Sequence, residues 1–466
     1  MTRAALVACF TLAAMSLLAL PLPAQPQDPL RDQESDRLTL TDGTQLQGML
    51  LEESPRNLEF LEVVRPPGKP MFAVIHTISA NQKKSLDKVS GEDRKQLEKL
   101  VDRLRNHTQI RAAAKDSLTL KRTKSAILET DQAWQYQGDR FVLISPLNED
   151  MTRTFAVRVD QIFQAFEHWL PPKQKPNSPI QIVLFYSIDS YSAYLKKIGL
   201  TIDNPAVYVP HTNQVLIGSD LGAFQARLEL AHARHEAILA QWSEREKKLP
   251  EDLNQLAKRL KDAGWQPDTI VTEVQTRREA WQRDFKKAQA QIQVTDRRNQ
   301  TTLDSLINQA TQHLCHESFH AYVENYLYPQ GEYEVPIWLN EGLAQLFEHA
   351  QFENGTFRID LPPKEILASL KERLERDNGM SLQRILQTKA GSFILFENLH
   401  EGRLDYDVAW GLAWYLVFQK QLFAPGSLDR YVHKRNLPAP TVEETFGESV
   451  SRVQAEWVAF IRQLPS

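Results

Sequence analysis

Alternation of apolar and polar residues marks the first part of the chain as β-sheet, because successive side chains of a strand point to opposite faces. One alternating run turns at an Asp-Gly pair, residues 42–43, a dipeptide typical of tight hairpins. Two more strand-like runs cover residues 58–64 and 71–78, and an apolar stripe at helical spacing follows them. We therefore predict a small SH3-like β-barrel with one helix over residues 37–105.

Strand and helix patterns are mixed in the next part of the chain. Residues 134–145 resemble paired strands, residues 152–170 a helix, and residues 180–186 a buried strand. A hairpin of two short strands follows at residues 206–217. Elements in this order are typical of an α+β fold.

A long charged segment, residues 222–300, has apolar residues that recur at spacings of three and four. This spacing predicts a helical hairpin that packs as a coiled coil, with a turn at residues 262–267 and a break at Pro250. We expect its two histidines, His232 and His235, to lie on a solvated helix face. Beyond the hairpin the pattern is almost entirely helical.

Residues 1–24 have the features of a signal peptide. Arg3 precedes an apolar run, which Pro21 and Pro23 end before the small residue Ala24. A retained membrane anchor is the alternative, but the run is short for a helix that spans a bilayer. We expect cleavage near Ala24, export to the periplasm or the cell exterior, and no stable membrane anchor.

Composition limits the range of partners. At 466 residues the chain is long enough for two or three domains, and its net charge of -4 gives no reason to expect nucleic acid or an anionic membrane surface as a partner. Cys9 leaves with the signal peptide, so the mature chain keeps only Cys315 and forms no internal disulfide. We expect Cys315 to be a packed side chain.

Candidate chemistry is concentrated in the sequence HESFH at residues 316–320. On a helix, His316 and His320 project from one face, so both imidazoles can reach one metal ion. Glu317 points beside them, where it can act as the general base toward a water molecule that the metal has made more acidic. A tetrahedral catalytic zinc site needs a third protein ligand, and Glu341 on a later helix is the candidate.

The sequence WLNEGLA at residues 338–344 supports this interpretation. Together with HESFH it resembles the motifs of gluzincin metallopeptidases, especially those like aminopeptidase N. The resemblance implies a mostly helical gluzincin-type domain over residues 115–466, with the hairpin as an insertion and one zinc ion per chain. It also implies that the two histidines and Glu341 bind zinc and that Glu317 is the base. The spacer of 20 residues before Glu341 is slightly longer than in those relatives.

A third stretch, YDVAWGLAWYL from Tyr406 onward, looks like the helix that carries an oxyanion-stabilising tyrosine in the same relatives. A phenol above the zinc could donate a hydrogen bond to the negative charge that develops on the substrate. The alternative is that Tyr406 is one aromatic residue of a core helix. His313, one turn before His316, either orients a ligand or is structural.

Two functions remain open at this point. The first is an exported zinc peptidase that acts on peptides or proteins. The second is a non-catalytic envelope or scaffold protein that binds a partner through the barrel and the hairpin, although an intact Glu317 argues against it. The relatives that remove single N-terminal residues use a Gly-x-Met-Glu-Asn strand, which this sequence lacks, so we expect an endopeptidase, with an aminopeptidase as the alternative. The sequence also resembles uncharacterised exported bacterial proteins with a similar core.

Overall fold

The computed structural model describes most of the chain as an α+β fold, which confirms the predicted fold class. It describes residues 34–64, 72–105, 108–176, 178–353, 356–376, 382–387, 400–438 and 440–464. The predicted signal peptide, residues 1–24, lies outside the described residues. Two larger sheets and a series of helices position the candidate site.

The first sheet begins with consecutive strands: β1 (Asp36–Leu40), β2 (Gln45–Glu53), β3 (Asn57–Val64), β4 (Phe72–Ser79) and β5 (Lys83–Asp87). They pair antiparallel in the order β5-β1-β2-β3-β4. Two strands from residues 351–358 extend the sheet beyond β4, and the nearer one is parallel to β4. The N-terminal strands are therefore part of an open, seven-stranded sheet that includes a much later segment.

Helix α1 (Gly91–Arg105) covers one face of this sheet. Its buried residues Leu97, Leu100 and Leu104 recur at intervals of three and four, so they form one stripe along the helix. The stripe packs against Leu61 of β3 and its neighbours, which gives this part of the chain a small core of its own.

The second sheet follows helix α2 (Thr108–Ser117). Its strands are β6 (Leu120–Ser125), β7 (Thr130–Gln137), β8 (Phe141–Ser145), β9 (Ile180–Leu184), β10 (Ala206–Val209) and β11 (Gln214–Ile217). Their order is β10-β11-β9-β8-β7-β6, with the pairs β8–β9 and β9–β11 parallel. Parallel neighbours need crossover connections, which α3 (Glu149–Trp169) and α4 (Ile188–Lys197) provide. Strand β10 is left as an edge.

Two long helices form the hairpin, α5 (Leu221–Asp262) and α6 (Pro267–Tyr322). The predicted break at Pro250 is wrong, because α5 continues through this proline. Contacts with α6 hold α5 on both sides of it: the rings of Trp242 and Trp281 are 5.8 Å apart, and Leu253 is buried. These contacts offset the loss of one helical hydrogen bond.

Helix α6 carries both the second arm of the hairpin and the HESFH sequence, since it runs for 56 residues without interruption. A π-helical turn, Val323–Leu327, ends it just beyond His320. The hairpin is thus a direct extension of the helix that bears the candidate metal ligands. Among the described residues, no helix combines the length and apolar character that a membrane span requires.

The remaining elements are β12 (Tyr333–Glu334), α7 (Ile337–Glu348), β13 (Gln351–Glu353), β14 (Thr356–Arg358), α8 (Lys364–Arg376), α9 (Leu382–Leu386), α10 (His400–Phe418), β15 (His433–Lys434), α11 (Val442–Phe446) and α12 (Val450–Gln463). Strands β13 and β14 are the two late strands of the first sheet. Strands β12 and β15 pair with each other.

A cluster of aromatic rings joins α3, α6 and α7 at the centre of the main core. The ring of Phe166 lies 5.4 Å from that of Phe319 and 5.0 Å from that of Phe347, and the latter two rings are 5.1 Å apart. Each residue belongs to a different helix. The cluster therefore fixes α6 and α7 side by side against α3.

We predict that residues 236–295 can be replaced by a short Gly-Ser linker without loss of the core. Leu253 is the only fully buried residue in this part of the described hairpin. The cut ends are close, because His235 Nδ1 lies 2.8 Å from Asp296 Oδ1. Thermal unfolding should stay cooperative, with a melting temperature within a few degrees of the full-length value.

A longer deletion, residues 224–303, is the matched control. It removes Phe224, Leu228 and Leu303, which pack against the main core, so it should lower the melting temperature clearly. The prediction separates residues 236–295, which the core does not need, from the hairpin residues that pack against the core. Equal melting temperatures for the two deletions, or non-cooperative unfolding after the short one, would contradict it.

Candidate metal centre

The last turns of α6 place His316 and His320 on one face, with ring centroids 4.8 Å apart. The neighbouring residues Leu314, Cys315 and Phe319 are buried on other faces of the same turns. Their packing against the core leaves the two imidazoles directed toward α7. The helix therefore presents two nitrogen donors from adjacent turns.

Glu341 supplies the third donor from the first half of α7. Its Oε2 lies 3.3 Å from His316 Nε2, and its Oε1 lies 3.5 Å from His320 Nε2. All three donors fall within 4.8 Å of one another, so the structure brings the three predicted ligands together as a group that could hold a metal ion.

The donor spacing fits a tetrahedral metal site. Metal–ligand distances of about 2.0–2.1 Å place neighbouring donors about 3.3 Å apart. The two separations from Glu341 to the histidines are close to this value and are long for hydrogen bonds. Two imidazoles and a carboxylate are also the donor set of catalytic zinc sites. The residues present therefore fit the predicted cofactor.

Glu348 also contacts this group of side chains, and the sequence analysis missed it. Its Oε2 lies 2.8 Å from Nδ1 of His316, so His316 can donate its Nδ1 proton to Glu348 and keep Nε2 free for a metal ion. Glu348 follows Glu341 by seven residues, which is two helical turns and the same face of α7. That spacing is the signal by which it could have been found.

Charge in the site favours a bound cation. Burial raises the pKa of Glu341, but His320 and His316 more than offset this, and the net pKa lies well below its usual range. Burial lowers the pKa of His316, whereas hydrogen bonds and attraction from Glu341 and Glu348 raise it well above normal. Both shifts report a buried place where negative oxygen atoms stabilise positive charge. A metal ion can take the place of the protons there.

His313 lies beside Glu348 rather than among the three donors. Its Nδ1 is 3.8 Å from Glu348 Oε1, and burial lowers its pKa. In this position His313 can affect His316 through their shared neighbour Glu348 and through direct repulsion between the two rings when both are charged. Cys315 is fully buried and donates to the backbone oxygen of Phe347 at 3.3 Å, which confirms that it is a packed side chain.

Glu317 contacts the edge of the second sheet. Its Oε2 accepts a hydrogen bond of 2.6 Å from the backbone N–H of Tyr208 on β10. The N–H of Gly218 donates to the carbonyl of Pro205 at 2.7 Å. Because the backbone groups of successive strand residues point to opposite sides, those of Pro205, Val207 and Val209 point toward β11. Ala206 and Tyr208 therefore direct their backbone groups outward, toward α6.

A cavity of about 550 Å³ adjoins His320 and Tyr208. Its wall is rich in aromatic side chains, namely Tyr208, Tyr328, Tyr333, Trp338, Tyr431 and Phe446. Asn340, next to Glu341 in sequence, also lines it, and Oδ1 of Asn340 is buried with no hydrogen-bond partner in the described part of the chain. The cavity thus offers apolar surface and one buried acceptor next to the donor group.

Tyr406 lies near the start of α10, half-buried against the main core. Three residues later, Ala409 meets α7 so closely that a Cβ atom on Gly342 would lie 2.3 Å from its carbonyl oxygen. Tyr406 is therefore one turn from the contact that supports the Glu341 region. Its role toward an oxyanion stays a prediction.

Residues 310–425 match a family model described as a protein of unknown function, DUF1570. No curated protein and no solved structure matches the chain. The matched segment contains the end of α6, all of α7 and the Tyr406 helix, so it includes every predicted site residue. The similarity thus falls on the candidate metal centre and leaves its activity to be inferred from geometry.

We predict that Glu348→Ala weakens zinc binding by about 10- to 100-fold, the usual effect of losing the partner that orients a histidine ligand. Glu348→Gln should have a smaller effect, since an amide oxygen still accepts the His316 proton. Competition with a chromophoric chelator measures the affinity. Glu334→Ala, which removes an exposed carboxylate 3.4 Å from His433, is the control and should bind zinc normally. If Glu348→Ala binds zinc with unchanged affinity, Glu348 is not the residue that orients His316.

Proposed function

We propose that this chain is an exported zinc metallopeptidase of the gluzincin type. The observation that supports it best is the position of Glu341, whose oxygens stand at tetrahedral spacing from His316 and His320. Signal-peptide cleavage near Ala24 would release it to the periplasm or the cell exterior. We further propose that the first five strands are an SH3-like module that serves this domain.

In this proposal His316, His320 and Glu341 hold the zinc ion, and Glu317 is the general base. Zinc, when bound, supplies a Lewis acid that acidifies water and polarises a carbonyl group. The N–H of Tyr208 binds one oxygen of Glu317, which fixes the direction of the carboxylate. We assign the second oxygen to proton transfer, first from water and then to the leaving amine.

The proposed substrate lies along β10 as an added strand. The backbone N–H and carbonyl of Ala206 and the carbonyl of Tyr208 point away from β11 at this edge, so an extended peptide can form hydrogen bonds with them. The same placement directs a substrate side chain toward the cavity beside His320, where aromatic residues such as Trp338 and Tyr431 favour a large apolar group. Tyr406 is the proposed donor to the oxyanion.

Internal cleavage is the proposed specificity. An aminopeptidase needs a free carboxylate to pair with the substrate's α-ammonium group. Two glutamates line the described cavity, Glu324 and Glu334. Both oxygens of Glu324 already accept the backbone N–H of Gln330, each at 3.0 Å, and Oε2 of Glu334 lies 3.4 Å from Nε2 of His433. Glu324 therefore holds the loop beyond α6 in place, and the proposal favours an endopeptidase.

Glu317→Gln should keep the metal and lose hydrolysis. General bases contribute about 10²–10⁴-fold, so kcat/KM on a cleaved peptide should fall by at least about a hundredfold while zinc content stays at one equivalent in the proposed site. Glu365→Gln, an exposed change on α8, is the control. Wild-type turnover in Glu317→Gln would reject this base, and an inactive wild-type chain across a peptide library would favour the scaffold function.

Peptides with acetylated N-termini should be cut as fast as unblocked ones, within about twofold, because nothing in the proposed site requires a free amine. Mass spectrometry of the products measures both rates and the cleavage positions. Glu324→Gln should leave the ratio of the two rates unchanged. Release of single amino acids from unblocked peptides alone, and its loss in Glu324→Gln, would identify an aminopeptidase instead.

A further inference from the structure

A second group of metal-binding side chains lies where the N-terminal sheet meets α3. Glu62 of β3 and His76 of β4 are buried on the same face of that sheet, and His168 of α3 approaches them from the main core. One donor atom from each residue falls within 4.8 Å of the others. The three residues come from two separate parts of the fold, and none of them has a role in the proposed peptidase site.

Both imidazoles of this cluster point at one carboxylate oxygen. Oε2 of Glu62 lies 2.7 Å from Nε2 of His76 and 2.8 Å from Nε2 of His168. Burial raises the pKa of Glu62, but the two histidines lower it to about 2, so the carboxylate stays charged. The cluster thus combines two nitrogen donors with a buried negative oxygen.

The cluster opens into a cavity of about 520 Å³ at the junction of the sheet and the core. Glu62, His76 and His168 all line it, together with Trp169, whose ring centroid lies 4.9 Å from that of His76. The cavity provides an entry path and room for water to complete a coordination shell. Buried hydrogen-bonded clusters with no adjoining space lack both features.

We propose that Glu62, His76 and His168 bind a second metal ion, a divalent transition cation such as zinc, in addition to the zinc of the peptidase site. Imidazole donors suit zinc and its neighbours in the transition series, whereas calcium and magnesium prefer oxygen donors only. A bound ion would tie β3 and β4 to the end of α3. Its effect is to lock the N-terminal sheet onto the metallopeptidase-like core.

Donor spacing sets the affinity of this site below that of the first. Donors around tetrahedral zinc stand about 3.3 Å apart, so the hydrogen-bonded contacts of Glu62 must each open by about 0.5 Å before an ion fits. The partly exposed His168 side chain, at 23% accessibility, has room for this movement. Metal binding needs both Nε2 atoms free of protons, so binding weakens as pH falls.

The test is a zinc titration of the full chain after removal of metal by a chelator. Wild-type protein should bind two equivalents, with the second more weakly held, and a large excess of calcium should not compete. His320→Gln, which disables the first site, should still bind one equivalent. His168→Gln should bind one equivalent with the affinity of the tighter wild-type site.

The glutamine variant separates metal binding from hydrogen bonding. A glutamine amide at position 168 can donate to Glu62 as the imidazole does, so the metal-free melting temperature should match that of the wild type. Zinc should raise the melting temperature of His320→Gln, but not that of the double variant with His168→Gln. The inference is wrong if His320→Gln binds no zinc, or if His168→Gln binds as many equivalents as the wild type. A wild type that binds one equivalent, which His320→Gln keeps and His168→Gln loses, would instead reject the peptidase site and keep this one.

Discussion

Two carboxylates of α7 and two imidazoles of α6 lie together with only 13–19% of each side chain exposed, and this ionic contact constrains the rest of the structure. A charge that is largely removed from water is destabilising without a partner, so each helix stabilises the position of the other. Glu341 and Glu348 lie two turns apart on one face of α7, and His316 lies between them with one ring nitrogen toward each. The contact thereby fixes how α7 is rotated about its own axis and where α7 lies along the length of α6.

Apolar packing supports that contact from both sides. The rings of Phe166, Phe319 and Phe347 hold α6 and α7 against α3. On the other side, Gly342 allows the backbone of α10 to approach α7 where any side chain would collide with Ala409. Since Gly342 directly follows Glu341, this close approach limits the movement of the third donor. Packed helices of this kind can keep metal donors within a few tenths of an ångström.

The parts of the site that depend on local spacing could be predicted from the sequence. His316 and His320 share a helix face because they are four residues apart, and Glu341 was found through its motif. The backbone N–H of Tyr208 carries no sequence signal, because every residue except proline has one. Its contact with Glu317 joins positions 109 apart and depends on how the second sheet meets α6. Glu348, by contrast, could have been found from its seven-residue spacing.

The fold, like the site, has parts that could be predicted from local sequence patterns and parts that could not. Alternation located the first strands, and charge with heptad spacing located the hairpin. No pattern in residues 351–358 indicates that β14 joins β4, because strand pairing across such a separation is decided by the packing of α7 and the sheet. Pro250 was predicted to break α5 from local propensity. Contacts with α6, including the aromatic pair Trp242–Trp281, overrule that propensity.

Two clusters of identical composition, each with two histidines and one glutamate, differ in the spacing of their donor atoms. In the N-terminal cluster both imidazoles satisfy Glu62 at 2.7 and 2.8 Å, so the group is complete without metal. In the α6–α7 cluster the shortest separations are 3.3 and 3.5 Å, each to a different oxygen of Glu341, and Nδ1 of His320 has no hydrogen-bond partner in the described structure. The charges there are held apart at a distance that suits a cation between them. The α6–α7 cluster is therefore spaced to accept a metal ion as it stands, whereas the N-terminal cluster has to open slightly to admit one.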